Sequence, residues 1–424
     1  LKGNLSNWSP SPEKIEINED AVIWAVDGKD DRSVAFAARL LEQNIQVRIV
    51  DKDSVLSGHN LSRGSVTVIA MDNPNSADLH EIINTVATDL NISVVSIESG
   101  FGPKELPDWG GRHFRLLKKP QIAILSHSDF NSYDVGVSWW SLDHNLGIRH
   151  SQLNSSLTGY GDLRRYNTII LPSGSPDLSN YAKDILMDWV KQGGTLIANN
   201  RSTRSIISND IGSVKNLNTT FNESKKFNFD LMREIYSMEE FIDISDANVN
   251  KVSTAITYPW ETTDITYTKE ELEMRDKWQS TLMPSGGIVS ARTDNEHWLT
   301  FGSENMVPVL YGNYPILMTG GNSEAALRIG ELLPNKESET KTINWSQIPS
   351  GFDLSVRMSG LVWPEASQRI ANSAYLTREK IGKGQIILFS GEPNFRGSAL
   401  GTNRLWLNAV VYGSGLGTNA LVTP

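Results

Sequence analysis

A chain of 424 residues is too long for one ordinary hydrophobic core, so two or three packed units are expected. Hydrophobic residues make up 39% and charged residues 21%, and the net charge of −10 comes without a basic run, which argues against nucleic acid as a partner because counterion release needs clustered cations. No stretch approaches the roughly 18 to 20 consecutive apolar residues that span a bilayer, and the absence of cysteine excludes disulfides, cysteine-ligated zinc and a thiol nucleophile.

After a polar, proline-bearing lead, Ala21 to Ala25 is a short apolar run that predicts a buried strand. Arg32 to Gln43 places Val34, Ala35, Ala38, Leu40 and Leu41 at helical spacing, and Gln46 to Val50 reads as a second strand. The pattern repeats with a strand at Ser65 to Ala70, a helix at Ser76 to Leu90 and a strand at Ile92 to Ile97. Such alternation predicts a small α/β domain with a mostly parallel sheet over about residues 15–105. Gly100 to Pro120, rich in glycine and proline, reads as a connector.

A second α/β unit opens with a strand at Gln121 to Leu125, followed by a helix near Gly136 to Asn145 and a strand at Thr168 to Pro172. Ser179 to Gln192 is an amphipathic helix, and Thr195 to Ala198 is another buried strand. Between about 205 and 285 the periodicity breaks and Asn, Ser and Thr dominate, as in an insertion, with helices near Phe229 to Met238 and Lys269 to Trp278. Ile288 to Ala374 reads as mixed strand and loop of the same domain. A final strand at Ile386 to Phe389 precedes a helix at Thr402 to Tyr412.

Gly193 to Ser202 has the form of a helix end, a buried strand and a sharp turn. It resembles the elbow of class I glutamine amidotransferase-like folds, which carries a cysteine at its tip. Here the tip is Asn199-Asn200-Arg201. Ser202 is the one hydroxyl near it, but past the tip, and the partner histidine expected after the last strand is replaced by Ser390-Gly391-Glu392-Pro393. Two positions needed for triad catalysis are thus empty, which leaves Ser202 or Glu392 as the alternative for an independent hydrolase or amidase.

Other chemistry finds less support. His80-Glu81 is followed by Asn84 where a zincin helix needs histidine, and no Walker loop or dinucleotide fingerprint occurs. The seven histidines are mostly isolated, although His144 with His150, or His113 with His127, could meet in space. Trp139 and Trp140, after the loop from Ser126 and His127 to Tyr133, together with Trp345, Trp363 and Trp406, are either groove or core. Asn394 and Arg396 stand at a strand's carboxyl end, where open α/β sheets bind ligands. The candidate binding residues are therefore Ser126, His127, Trp139, Asn199, Asn200, Arg201, Glu392, Asn394 and Arg396, with no catalytic or metal-binding residue assigned.

Gly111 to Gly136, with His113-Phe114-Arg115-Leu116-Leu117-Lys118-Lys119-Pro120, resembles the linker and first strand of the region that follows the catalytic domain in large bacterial zinc carboxypeptidases. Tyr166 to Gly174, Gly382 to Gly397 and Gly401 to Ala409 are similar to later parts of that region, while the insertion lies outside the likeness. The resemblance implies a class I amidotransferase-like, flavodoxin-like α/β domain over 115–424, lacking its nucleophile. It also implies a periplasmic or secreted parent protein whose upstream peptidase domain is the partner and holds the zinc. The family's HxxE and distant histidine have no counterpart in these residues, so no catalytic role and no cofactor carries over. The expected role is non-catalytic: supporting the peptidase domain or binding a peptide or glycan.

Overall fold

The structure, a computed structural model, describes residues 17–18, 20–103, 106–154, 162–176, 178–217, 268–343 and 346–418. The predicted helix at Phe229 to Met238 lies outside them, as does Trp345.

Five strands form the first sheet: β1 (Ile23–Val26), β2 (Val47–Val50), β3 (Val66–Ile69), β4 (Val95–Ile97) and β5 (Phe114–Leu116), in the order β4-β1-β3-β2-β5. Every neighbouring pair is antiparallel, which corrects the expectation of a mostly parallel sheet. Strands β1 and β3 are buried along their whole length, so their apolar runs look like those of a parallel core. Helices α1 (Ser33–Glu42) and α2 (Leu79–Leu90) accompany this sheet, and α2 ends on Asn91 in the left-handed conformation, a usual way to stop a helix. The predicted connector supplies β5, so the first sheet extends past the expected boundary at 105.

The second sheet holds the candidate site. Its parallel part consists of β6 (Ile122–Ser126), β7 (His150–Asn154), β8 (Thr168–Leu171), β9 (Thr195–Asn199) and a late strand, β14 (Gly384–Phe389). The spatial order is β7-β6-β8-β9-β14, which in chain order is the 2-1-3-4-5 pattern of flavodoxin-like sheets. The connections carry α3 (Ser132–Trp140), which runs on into a wider π-helical turn at Ser141–Leu146, and α4 (Asn180–Gln192). The sheet then continues through strands β10 (Gly287–Thr293), β11 (Met306–Tyr311), β12 (Ser323–Ile329) and β13 (Ala374–Ile381), in the order β14-β13-β12-β10-β11, all antiparallel.

Three further helices complete what the site needs. Helix α5 (Arg201–Ser208) leaves the carboxyl end of β9, whereas α6 (Lys269–Thr281) and α7 (Pro364–Ile370) pack against each other. The last helix, α8 (Leu400–Leu416), is buried on all sides and shares one apolar core with the first sheet through Leu405, Trp406, Val410 and Tyr412. Its Arg404 donates to the carbonyls of Gly28 and Asp30 and to Ser33 Oγ, all near the start of α1. The two sheets are thus joined by core and by hydrogen bonds rather than by a linker. Trp406 is part of that core and lines no groove.

Candidate functional site

The elbow after β9 has the predicted form. Asn200 adopts φ 46° and ψ −107°, between the last strand residue Asn199 and the first helical residue Arg201. A non-glycine residue there costs of the order of 1–3 kcal/mol, and surrounding bonds must hold it. They do so: Asn200 N donates to the Phe389 carbonyl at the end of β14 (3.1 Å), and Arg204 N donates to the Asn200 carbonyl (3.1 Å). The Thr203 hydroxyl lies 2.9 Å from the Ala198 carbonyl and 2.8 Å from that of Phe389, clamping α5 over both strands.

At the tip of this strand-to-helix turn stands the side chain of Asn200. Its Nδ2 donates to Glu392 Oε1 at 2.9 Å. Glu392 follows β14, the strand paired with β9, so an amide–carboxylate pair bridges the carboxyl ends of two neighbouring strands. Ser202 does not compensate. Its hydroxyl is fully buried and donates to the Pro172 carbonyl, away from the tip.

A residue unremarkable in the sequence completes the site. Asp134, in the first turn of α3 after β6, is 9% exposed and lies against Glu392. No hydrogen bond of good geometry reaches its buried Oδ2 among the described residues. Burial and then the Glu392 carboxylate push the Asp134 carboxyl up to about 7, while Arg201 and Ser173 pull the other way. Near pH 7 the Asp134 carboxyl is therefore about half protonated. Ser173 follows β8, so Asp134 and Ser173 flank the point where the strand order reverses, the usual ligand crevice of an open α/β sheet.

The crevice floor is tied down on both sides. Loop 127–131 and loop 172–175 are zipped by Asn131 N to the Ser173 carbonyl and Ser175 N to the Asp129 carbonyl, both 2.8 Å. A side chain at Gly174 would begin 2.4 Å from the Asp129 carbonyl, so this approach requires glycine. Across from them, the Tyr314 ring packs on Gly391, where an added Cβ would sit 2.6 Å from the ring. Burial first, then Glu392 and Asp134, raises the Tyr314 hydroxyl well above its ordinary range, so it stays a hydrogen-bond donor beside the pair.

The nine candidate residues separate accordingly. Asn200, Arg201 and Glu392 meet at the carboxyl pair. Asn199 is buried with its Oδ1 unpartnered among the described residues, and Asn394 is buried, reaching Ser141 Oγ at 3.4 Å. Ser126 donates sideways to the Leu153 carbonyl of β7, whereas His127 is exposed with φ 83°. Trp139 is half-exposed, and Arg396 is exposed with its guanidinium over its own Phe395 ring. The histidine pairs do not form: His113 bonds Asp51 at 2.7 Å, and His144 stacks on Trp140. Among the described residues no group of three or more metal-ligating side chains converges.

No family model matches the chain, and no curated protein matches it. Among solved structures it is similar to a ThuA-like protein from Parabacteroides merdae, at 11% identity and a TM-score of 0.38, over 72% of this chain and 94% of that one. A ThuA-like protein from Bacteroides uniformis gives 11% identity and a TM-score of 0.34, over 72% and 96%. A β-galactosidase from Bacillus circulans gives 12% identity and a TM-score of 0.31, over 80% of this chain but 34% of the enzyme. Likeness this distant says nothing of chemistry, and the flavodoxin-like assignment stands on the strand order itself.

Proposed function

We propose that this chain is a non-catalytic binding region, which takes a small polar group of a peptide or glycan into the crevice between Asp134, Ser173, Asn200 and Glu392. The observation that carries the reading is the Asn200 side chain at the elbow tip, committed to Glu392. An amide is neither nucleophile nor base, yet it orients a carboxylate well. The partly protonated Asp134 carboxyl beside Glu392 offers a donor and several acceptors, which suits hydroxyl, amide or ammonium groups. The resemblance at Gly111 to Gly136 and Gly382 to Gly397 supports a place beside a zinc carboxypeptidase-like domain in a periplasmic or secreted protein.

Calorimetric titration with a cell-wall stem peptide, and separately with a glycan fragment, tests the reading. Saturable binding that Glu392→Gln weakens at least tenfold, with no turnover, is the expected result. Asp134 supports one competing reading, since a buried carboxyl titrating at about 7 suits a general acid or base. Turnover of an amide or glycoside by this chain, with a rate that falls as pH rises through about 7 and vanishes in Asp134→Asn, would establish that reading and displace the first.

A further inference from the structure

Two strands beyond the one that leads to Glu392, arginines stand directly opposite each other. Arg292 of β10 and Arg328 of β12 are cross-strand partners, so their side chains share one face of the sheet. Like charges in this register repel, and a carboxylate between them is the usual remedy. No carboxylate acts on either guanidinium among the described residues: burial acts on both, and on Arg292 also Arg328. Their partners are neutral instead. Arg292 Nη1 donates to the carbonyls of Gly330 (3.0 Å) and Ile329 (3.4 Å), and its Nη2 donates to Asn372 Oδ1. Arg328 Nη1 reaches the Asn372 carbonyl at 3.2 Å, and its Nη2 reaches Thr319 Oγ1 at 3.1 Å.

These bonds fix both guanidiniums without neutralising them. Asn372, buried and left-handed at φ 62°, is held through Asn372 N to the Ile329 carbonyl and serves both arginines, one through its side chain and one through its backbone. Each arginine keeps its Nε and at least one Nη proton uncommitted among the described residues. Burial, and for Arg292 also the neighbouring Arg328, disfavours the charged forms: Arg292 is pushed down to about 10, and Arg328 is lowered as well. An anion here would relieve both the repulsion and the desolvation.

We propose that Arg292 and Arg328, positioned by Asn372 and Thr319, form a binding site for a doubly charged oxyanion, a phosphoryl or sulfuryl group. Two planar forks with fixed donors match tetrahedral oxyanions better than chloride, and two guanidiniums balance two negative charges. The site is separate from the carboxyl pair, which would repel such a ligand.

Titration of the full chain with inorganic phosphate, followed by calorimetry at constant ionic strength, tests the site, with sulfate and chloride in parallel. Saturable binding of phosphate and sulfate but not chloride is expected, weakened at least tenfold in Arg328→Gln and a few-fold in Thr319→Val, whose fold should be undisturbed. Phosphate and chloride acting alike on the wild-type chain, or phosphate affinity unchanged in the folded variants, would overturn the proposal. If Arg328→Gln does not fold, the anion selectivity of the wild type and the Thr319→Val affinity still decide it.

Discussion

Replacing Asp134 by asparagine should stabilise the protein, but only when the solution is alkaline enough. The sign follows from the burial of the carboxyl against Glu392. An unfolded chain ionises Asp134 near pH 4, whereas the folded chain keeps the proton to about 7. Below pH 4 both states are protonated and the site's stabilising contribution is fully present. As pH rises from 4 to 7 the unfolded state loses its proton first, so folding stability falls, and above 7 the deficit is complete. At ~1.4 kcal/mol per pH unit the limit is about 4 kcal/mol. Glu392 is only half-buried and Arg201 is exposed, so solvent screening brings a realistic figure to about 1–2 kcal/mol. Asparagine copies the protonated carboxyl and cannot ionise. In thermal unfolding followed by circular dichroism, Asp134→Asn should lie close to the wild type at pH 5 and roughly 1–2 °C above it at pH 8. A difference that stays constant between the two pH values, or that opens in the wild type's favour, would refute a proton held by this pair.

Further outcomes follow from other buried or strained groups. Glu324 is held down at about 2 by His297 first and then Arg378, so its contribution is present above the ordinary carboxylate range and is lost as pH falls toward 2. Because the side chain is half-exposed, Glu324→Gln should cost under about 1 kcal/mol in urea unfolding at pH 7 and progressively less as pH falls toward 2. Arg404→Met should lower stability by about 2–4 kcal/mol, since it strands the buried Gly28 carbonyl and Ser33 hydroxyl, measured by the midpoint of denaturant unfolding. At the elbow, Asn200→Gly should fall within about 1 kcal/mol of the wild type because relief of backbone strain offsets the lost bond to Glu392, whereas Asn200→Val should be clearly less stable.

Four of the five parallel strands of the second sheet were legible in the sequence because each is an apolar run with a helix beside it. Thr168 to Leu171 and Thr195 to Ala198 are buried throughout, and the turn into Arg201 follows directly. Strand β7 was not legible, since His150–Asn154 is polar and only partly buried at the sheet's edge. The first sheet was misread for a different reason. Buried runs such as Ile23–Val26 and Val66–Ile69 specify a strand but not its partner, and their antiparallel pairing depends on contacts across the chain. Long-range pairing also hid the site. Asn200 and Glu392 could be named from their places at strand ends, but Asp134 sits inside a helix among Tyr133 and Val135, where a carboxylate in the first turn is ordinary. Only the fold brings it against Glu392.

That meeting changes what the elbow is for. In a nucleophilic enzyme the strained turn exposes a reactive atom beside backbone donors, and the strain is justified by chemistry at that atom. Here the same turn aims an amide at Glu392, and burial first, then Glu392, raises Asp134. The group whose properties are altered is therefore not at the tip of the elbow but across the crevice from it. Asn200 acts as the fixed point that orients Glu392 beside the buried Asp134 carboxyl. If that chain of dependence holds, Asn200→Gly should leave the fold intact yet let Glu392 turn away, and the pH window of the Asp134→Asn effect should shift toward ordinary carboxylate values. A window unchanged in the double variant series would mean that burial alone holds the Asp134 proton and that the elbow plays no part in it.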